Sequence, residues 1–326
     1  MNRFWETAIL PVLEAAQPEV LAEIGSREGR LSAQLLGFCA QRGGVVHVID
    51  PAPSFDVSAW EAEHGERLMF HRCLSLEAIP QLPVPDVLFV DGDHNWYTVF
   101  NELKAVEDRA REAEVPYPLT FFHDIHWPYG RRDLYYDPST VPTEHRQEYA
   151  RQGILPGRRE LVKEGGLNGH LDNAIVEAGP HNGVLTGIED FIDQSSDSFE
   201  LVQVTGLHGL GVLASTQRLE QDRALRESVD RLRNADFLAD QLRLVEGHRV
   251  QDVIRRSDQR RRLDAARREL AEAEKELARF RSRKLWQWGY RAARAGFRVV
   301  PGKEATGDPT EAIAARLRRA SEKLGG

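Results

Sequence analysis

Val87-Leu88-Phe89-Val90-Asp91-Gly92-Asp93-His94 and Leu119-Thr120-Phe121-Phe122-His123-Asp124-Ile125-His126 decide how this chain is read. Each opens with four residues that suit a strand buried on both faces, and each then turns abruptly polar. Between them, Tyr97 to Ala113 places Val99, Leu103 and Val106 at helical spacing. Strand, helix, strand is the βαβ unit, which predicts two parallel strands and an α/β fold. Both polar runs then leave the carboxyl edge of the sheet, where ligands bind in open α/β folds. Three Asp and three His are expected to converge on one cleft.

The preceding residues repeat the alternation. Val20 to Ile24 predicts a strand, Gly25-Ser26-Arg27-Glu28-Gly29 a turn, and the next helix buries Leu31, Leu35, Leu36 and Phe38. Gly43-Gly44 ends that helix, and Val45 to Ile49 predicts a second strand closing on Asp50. A dinucleotide fingerprint would need glycine where Arg27 and Arg30 stand. The pattern present is Glu23-x-Gly25-x-x-x-Gly29, with an acid 21 residues after Gly29. Residues alone leave an ordinary tight turn and a strand-end acid as the alternative.

This pattern resembles the first two motifs of class I S-adenosylmethionine-dependent methyltransferases. The resemblance implies a Rossmann-like sheet whose glycine turn, with Glu23, Gly25, Ser26 and Gly29, receives the amino acid part of S-adenosylmethionine. It implies that Asp50 accepts hydrogen bonds from the ribose, and that Asp91 borders the cofactor. A third strand, Leu68 to His71, and a short helix, Ser75 to Ile79, put Ser75 near the adenine.

Asp91-Gly92-Asp93-His94, followed by aromatics and a helix, resembles a small-molecule branch that includes macrocin-type sugar O-methyltransferases. Proteins of the cephalosporin-hydroxylase type share that fold, and the resemblance spans about residues 18 to 214. It implies a divalent cation held by Asp91, Asp93 and Asp124, with His126 beside them. Oxygen ligands favour Mg²⁺, Mn²⁺ or Ca²⁺, and each imidazole shifts preference towards transition metals. His123 stands where relatives carry the first of two acids. Asp93, His94 and His123 are the candidates to take a proton from an acceptor hydroxyl. Loop-capping carboxylates and histidines lining a polar cleft are the alternative.

From Trp127 to Gly183 periodicity disappears, while tyrosines alternate with Arg, Asp and His. The stretch predicts a lid over the strand ends, suited to a sugar or phosphorylated acceptor, or else a packed insertion. His170 is a further cleft candidate. Val184 to Ile192 predicts a helix. Phe199 to Val204 and Gly211 to Ala214 predict a closing antiparallel hairpin, with Gly206 to Gly211 as its bend.

The chain has 326 residues and a net charge of −8, unevenly placed. From Ser215 onward it carries 27 Lys and Arg against 18 Asp and Glu; the residues before carry 16 and 33. An acidic body argues against nucleic-acid binding. Two cysteines, no signal-like start and no long apolar run predict a cytoplasmic protein. Residues 1–215 are expected to form the methyltransferase domain. Residues 216–283 predict a C-terminal coiled coil, from Leu225, Val229 and Leu232 and from Leu263, Ala266, Leu270, Ala273, Leu277 and Phe280. It would join chains into a homo-oligomer, unless it packs back on the body. Residues 284–326 hold a basic amphipathic helix, with Trp286, Tyr290 and Phe297 opposite Arg291, Arg294 and Arg298, suited to an anionic membrane surface. The expected activity is O-methyl transfer to a sugar or glycosylated acceptor. A metal-dependent oxygenase on the same fold, or a non-catalytic coiled-coil scaffold, are the alternatives.

Overall fold

The computed structural model describes residues 1–282, and its frame is a seven-stranded sheet whose strands lie in the order Leu68–His71 (β3), Val45–Ile49 (β2), Val20–Ile24 (β1), Val87–Val90 (β4), Leu119–His123 (β5), Leu210–Ser215 (β10) and Phe199–Val204 (β9). After α1 (Leu10–Ala16) the chain runs β1 (Val20–Ile24), α2 (Arg30–Arg42), β2 (Val45–Ile49), α3 (Val57–His64), β3 (Leu68–His71) and α4 (Ser75–Ala78). It returns to the centre as β4 (Val87–Val90), α5 (Trp96–Glu112) and β5 (Leu119–His123). A small antiparallel sheet follows, built from β6 (Leu134–Tyr135), β7 (Tyr149–Arg151) and β8 (Asp172–Ala174). Then come α6 (Val184–Gln194), β9 (Phe199–Val204) and β10 (Leu210–Ser215), and finally α7 (Thr216–Gln221), α8 (Arg223–Arg231) and α9 (Ala235–Ser282).

β1 to β5 are mutually parallel, and β10 pairs antiparallel with both β5 and β9. Strand order reverses between β1 and β4, which opens a crevice at their carboxyl ends. The expected mixed α/β sheet with a closing hairpin is therefore present. Successive side chains alternate across the sheet. Phe89 and Phe121 stack at 5.0 Å on the face shared with Phe4, Leu13 and Leu35. Leu88, Val90 and Phe122 face Val99, Leu103, Ile188 and Phe191 on the other. Asn2 to Ala16 winds as a 3-10 turn, a π turn and α1. Pro11 stands in the first turn of α1, directly after the π turn.

The lid region departs from expectation. Residues 127–183 carry the sheet β6-β8-β7 and are tied to the body through Asp133. That carboxylate accepts hydrogen bonds from the Trp96 nitrogen at 2.8 Å, the Gly183 nitrogen at 2.6 Å and the Tyr135 hydroxyl at 2.7 Å. Arg132, wholly buried, donates to the carbonyls of Ala174 and Arg159. Strands of two or three residues are too short to show periodicity.

The boundary expected at residue 215 is also corrected. Leu225, Val229 and Leu232 do not form a helix–helix seam; they are buried in the core beside α1. The Ser228 hydroxyl donates to the Pro11 carbonyl at 3.1 Å and Arg231 to the Thr7 carbonyl at 2.7 Å. The first compact unit therefore runs from Met1 to Val245, and the second begins at Glu246. α9 is a continuous helix with Leu242, Val253 and Ile254 exposed. No helix among the described residues is long and apolar enough to cross a membrane. The basic amphipathic helix expected within residues 284–326 lies outside the described residues.

Candidate functional site

Gly25 ends β1 in the left-handed region, at φ +85°, with its turn pressed onto the end of β4. A Cβ there would lie 2.4 Å from the Asp91 carbonyl oxygen. Only glycine allows that approach, so two strand ends meet with backbone exposed between them. Gly29, at φ +71°, starts α2. Arg27 between them adopts φ +47°, a conformation unfavourable for a side-chain residue.

Asp50 holds this turn. Its Oδ2 accepts hydrogen bonds from the Ser26 nitrogen at 2.9 Å, the Ser26 hydroxyl at 3.0 Å and the Arg27 nitrogen at 2.7 Å. Its Oδ1 accepts from the Ala52 nitrogen at 2.8 Å. The acid expected to meet a ribose thus anchors the turn in this structure, and it does not line the cavity. Glu23 does line it; burial pushes this carboxyl up to about 8, against a hydrogen bond from Ser32.

The cavity measures about 450 Å³ and lies over the crevice between β1 and β4. Its floor brings Asp91, His94, His123 and Asp124 together. His123 Nδ1 lies 3.1 Å from Asp91 Oδ1 and 2.8 Å from Asp124 Oδ2. His94 Nε2 lies 2.9 Å from Asp124 Oδ2 and 3.7 Å from Asp91 Oδ1. Ligand atoms of Asp91, His123 and Asp124 all fall within 4.8 Å of one another. The Met1 nitrogen also reaches Asp91 Oδ2, at 2.8 Å. Burial works against ionising Asp91, yet the His123 imidazole holds it well below the usual carboxylate range. Asp124 is lowered likewise, by His94 and His123.

Two expected members of the cluster stand apart from it. Asp93 does not line the cavity; its carboxylate faces the Thr98 hydroxyl at 3.5 Å, because α5 begins two residues after His94. His126 turns outward, its Nε2 at 3.1 Å from Gln203 Oε1, because the left-handed Asp124, at φ +56°, breaks the alternation of β5. Ser75 donates to Glu102 and does not line the cavity. His170 is exposed.

The lid supplies the opposite wall. Tyr129 and Tyr136 place their rings 5.7 and 5.8 Å from that of His94. The Tyr129 hydroxyl is fixed between Asn168 at 2.7 Å and Asn173 at 3.2 Å. His208, from the glycine-rich bend before β10, also reaches the cavity. Nothing in the sequence signals His208, whereas Tyr129 and Tyr136 belong to the aromatic run that predicts a lid.

Residues 22–125 match the family model of a methyltransferase domain, a span that holds the glycine turn, Asp50, Asp91 and Asp124. Residues 22–125 carry the sequence pattern of a methyltransferase domain. No curated protein matches the chain. Solved structures similar to it include the Burkholderia thailandensis 1,6-didemethyltoxoflavin N1-methyltransferase with S-adenosylhomocysteine, at 14% identity and TM-score 0.34, covering 65% of this chain and 80% of that one. A Podospora anserina methyltransferase bound to S-adenosylhomocysteine is similar at 12% identity and TM-score 0.41, covering 64% and 77%. Human N-acetylserotonin methyltransferase with S-adenosylmethionine is similar at 14% identity and TM-score 0.34, covering 66% and 53%. At such scores these likenesses carry no argument. The methyltransferase domain rests on residues 22–125 and on the backbone left open at Gly25.

Proposed function

We propose that the methyltransferase domain transfers a methyl group to a hydroxyl oxygen of a sugar or glycosylated acceptor, with a divalent cation at the floor of the cavity. The observation that carries this is the meeting of two carboxylates and two imidazoles beside the glycine turn. S-adenosylmethionine supplies an electrophilic methyl on a sulfonium, whose bond to sulfur breaks as a bond to oxygen forms. Gly25, Ser26 and Gly29 leave room for its amino acid part, and Glu23 and Asp91 offer carboxylates to its ammonium. Tyr129 and Tyr136 present aromatic faces to the apolar side of a sugar ring. The acceptor proton leaves towards the carboxylate–imidazole floor.

The donor set fits a cation. Neither ring nitrogen of buried His94 has a hydrogen-bond partner, although carboxylate oxygens lie close by. Asp91, His94, His123 and Asp124 would hold the ion, which would orient an acceptor hydroxyl and lower its pKa. Two nitrogens and two oxygens favour Mn²⁺ or another transition ion over Mg²⁺ or Ca²⁺. Such donors would also suit an iron oxygenase, the reading favoured if oxygen is consumed without methyl transfer. Self-association through α9 and contact of residues 284–300 with anionic lipid belong to the same proposal.

The test is incubation of the full chain with methyl-labelled S-adenosylmethionine and a panel of glycans and sugar nucleotides, read by mass spectrometry. Label on a sugar oxygen, reduced by chelator and restored by Mn²⁺, supports the reading. Label appearing on nitrogen, or undiminished in chelator, contradicts it.

A further inference from the structure

The bend between β9 and β10 contains four consecutive left-handed residues: Gly206 at φ +97°, Leu207 at +50°, His208 at +73° and Gly209 at +89°. Two of these are not glycine, and Leu207 and His208 both adopt a conformation disfavoured by the Cβ. Such strain persists only where surrounding contacts impose it. Here the Gly209 nitrogen donates to the Gly206 carbonyl at 2.8 Å, and the His126 nitrogen to the His208 carbonyl at 2.9 Å. His208 Nδ1 reaches the Trp127 carbonyl at 3.2 Å. At Gly209 a Cβ would stand 2.8 Å from the His126 ring, so the bend lies directly on the segment that follows β5.

One product of this geometry is the position of the Leu207 carbonyl, 3.1 Å from His123 Nε2. A carbonyl oxygen only accepts, so Nε2 carries a hydrogen. Nδ1 faces the carboxylate oxygens of Asp91 and Asp124, acceptors as well, and its own hydrogen is the one a cation would displace. An imidazole that ligates a metal commonly donates its other N–H to a carbonyl, which fixes ring and tautomer together.

We propose that the left-handed bend Gly206–Gly209 is a positioning element for the site, its Leu207 carbonyl fixing the His123 ring with Nδ1 towards Asp91 and Asp124. The inference rests on the proposed cation site only for its consequence on metal affinity. The ring's orientation is a property of the metal-free chain. Leu207 acts on His123 through its backbone carbonyl, while its side chain packs against the core.

Proton–nitrogen correlation of the full, metal-free chain labelled at histidine tests this, with His123 assigned from His123→Gln. Wild type should show a slowly exchanging proton on His123 Nε2. Leu207→Gly, which keeps the carbonyl and eases the backbone, should retain it. Gly209→Ala, which drives the bend away from His126, should lose it and bind Mn²⁺ roughly 10- to 100-fold more weakly. A wild-type ring protonated only on Nδ1 overturns the proposal, whether or not either variant folds. So does loss of the signal in a folded Leu207→Gly, or a folded Gly209→Ala with unchanged signal and Mn²⁺ affinity. Wild type that shows the Nε2 proton but ignores Mn²⁺ supports the positioning role and removes the cation from the proposed function.

Discussion

His94 Nε2 lies 2.9 Å from Asp124 Oδ2, within hydrogen-bond distance, yet the ring is oriented so that neither of its nitrogens makes a hydrogen bond. A buried imidazole that makes no well-aligned hydrogen bond is costly unless the carboxylates beside it or a ligand meet it. Its neighbours are two carboxylates and a second imidazole, and the glycine turn stands across the same cavity.

If these four side chains seat a cation, the full chain should bind Mn²⁺ more tightly than Ca²⁺. His94→Ala and Asp124→Asn should each weaken Mn²⁺ by roughly 10- to 100-fold, the scale of losing a partner at a metal site. Asp93→Asn and His126→Ala, which alter residues outside the cavity, should leave the affinity within about twofold. Electron paramagnetic resonance of free Mn²⁺ measures all four. Equal effects at all six positions, Asp91 and His123 included, would contradict the geometry.

Glu102 carries a pH prediction. Burial pushes its carboxyl up to about 8, against an ordinary 4.5, despite a hydrogen bond from Ser75. A raised carboxyl stabilises the fold fully below the unfolded value, and that contribution is lost as pH rises from about 4.5 to 8. The loss over the whole window is on the order of a few kcal/mol. Glu102→Gln keeps the shape and cannot ionise. It should raise Tm at pH 8 by roughly 5 to 10 °C and leave Tm at pH 4.5 nearly unchanged. Parallel Tm curves for the two proteins would show that Glu102 ionises without cost.

Asp50 should matter for the fold as well as for the cofactor. Removing an anionic acceptor of four hydrogen bonds costs about 1.5–3 kcal/mol even for one such bond. Asp50→Ala should therefore lower Tm by roughly 5 °C or more and release Arg27 from its left-handed conformation. Differential scanning calorimetry checks the first effect. An unchanged Tm would mean that the turn is held elsewhere.

The sheet was legible because β1, β2, β4 and β5 are short apolar runs, each ended by an acid or a glycine. α3 was not, since among its residues only Val57 is buried and no apolar stripe exists to be read. α8 misled for the opposite reason. Leu225 and Val229 have the same spacing in a coiled coil and in a helix laid on α1, and only tertiary contact tells them apart. Within the site, Asp91, His94, His123 and Asp124 stood out as polar residues at strand ends. Which neighbours join them was set by side-chain direction just past β4 and β5, and single positions such as Asp93 and His126 fall on the wrong side. Glu102 had a visible signal, a carboxylate in the stripe of Val99, Leu103 and Val106. His208 had none.

Along α9, Leu242, Val250, Val253 and Ile254 are exposed. If this face joins two copies of the chain, light scattering should give a mass above that of one chain, and Ile254→Glu with Val253→Glu should return it to one. A single-chain mass for wild type at high micromolar concentration would exclude self-association.

Calorimetric titration of the full chain with S-adenosylmethionine tests the central claim most directly. The account predicts one site, competed by S-adenosylhomocysteine and lost in Gly25→Val, whose side chain would fill the approach between the turn and Asp91. Absence of binding to wild type, or binding of NADH in its place, would contradict it.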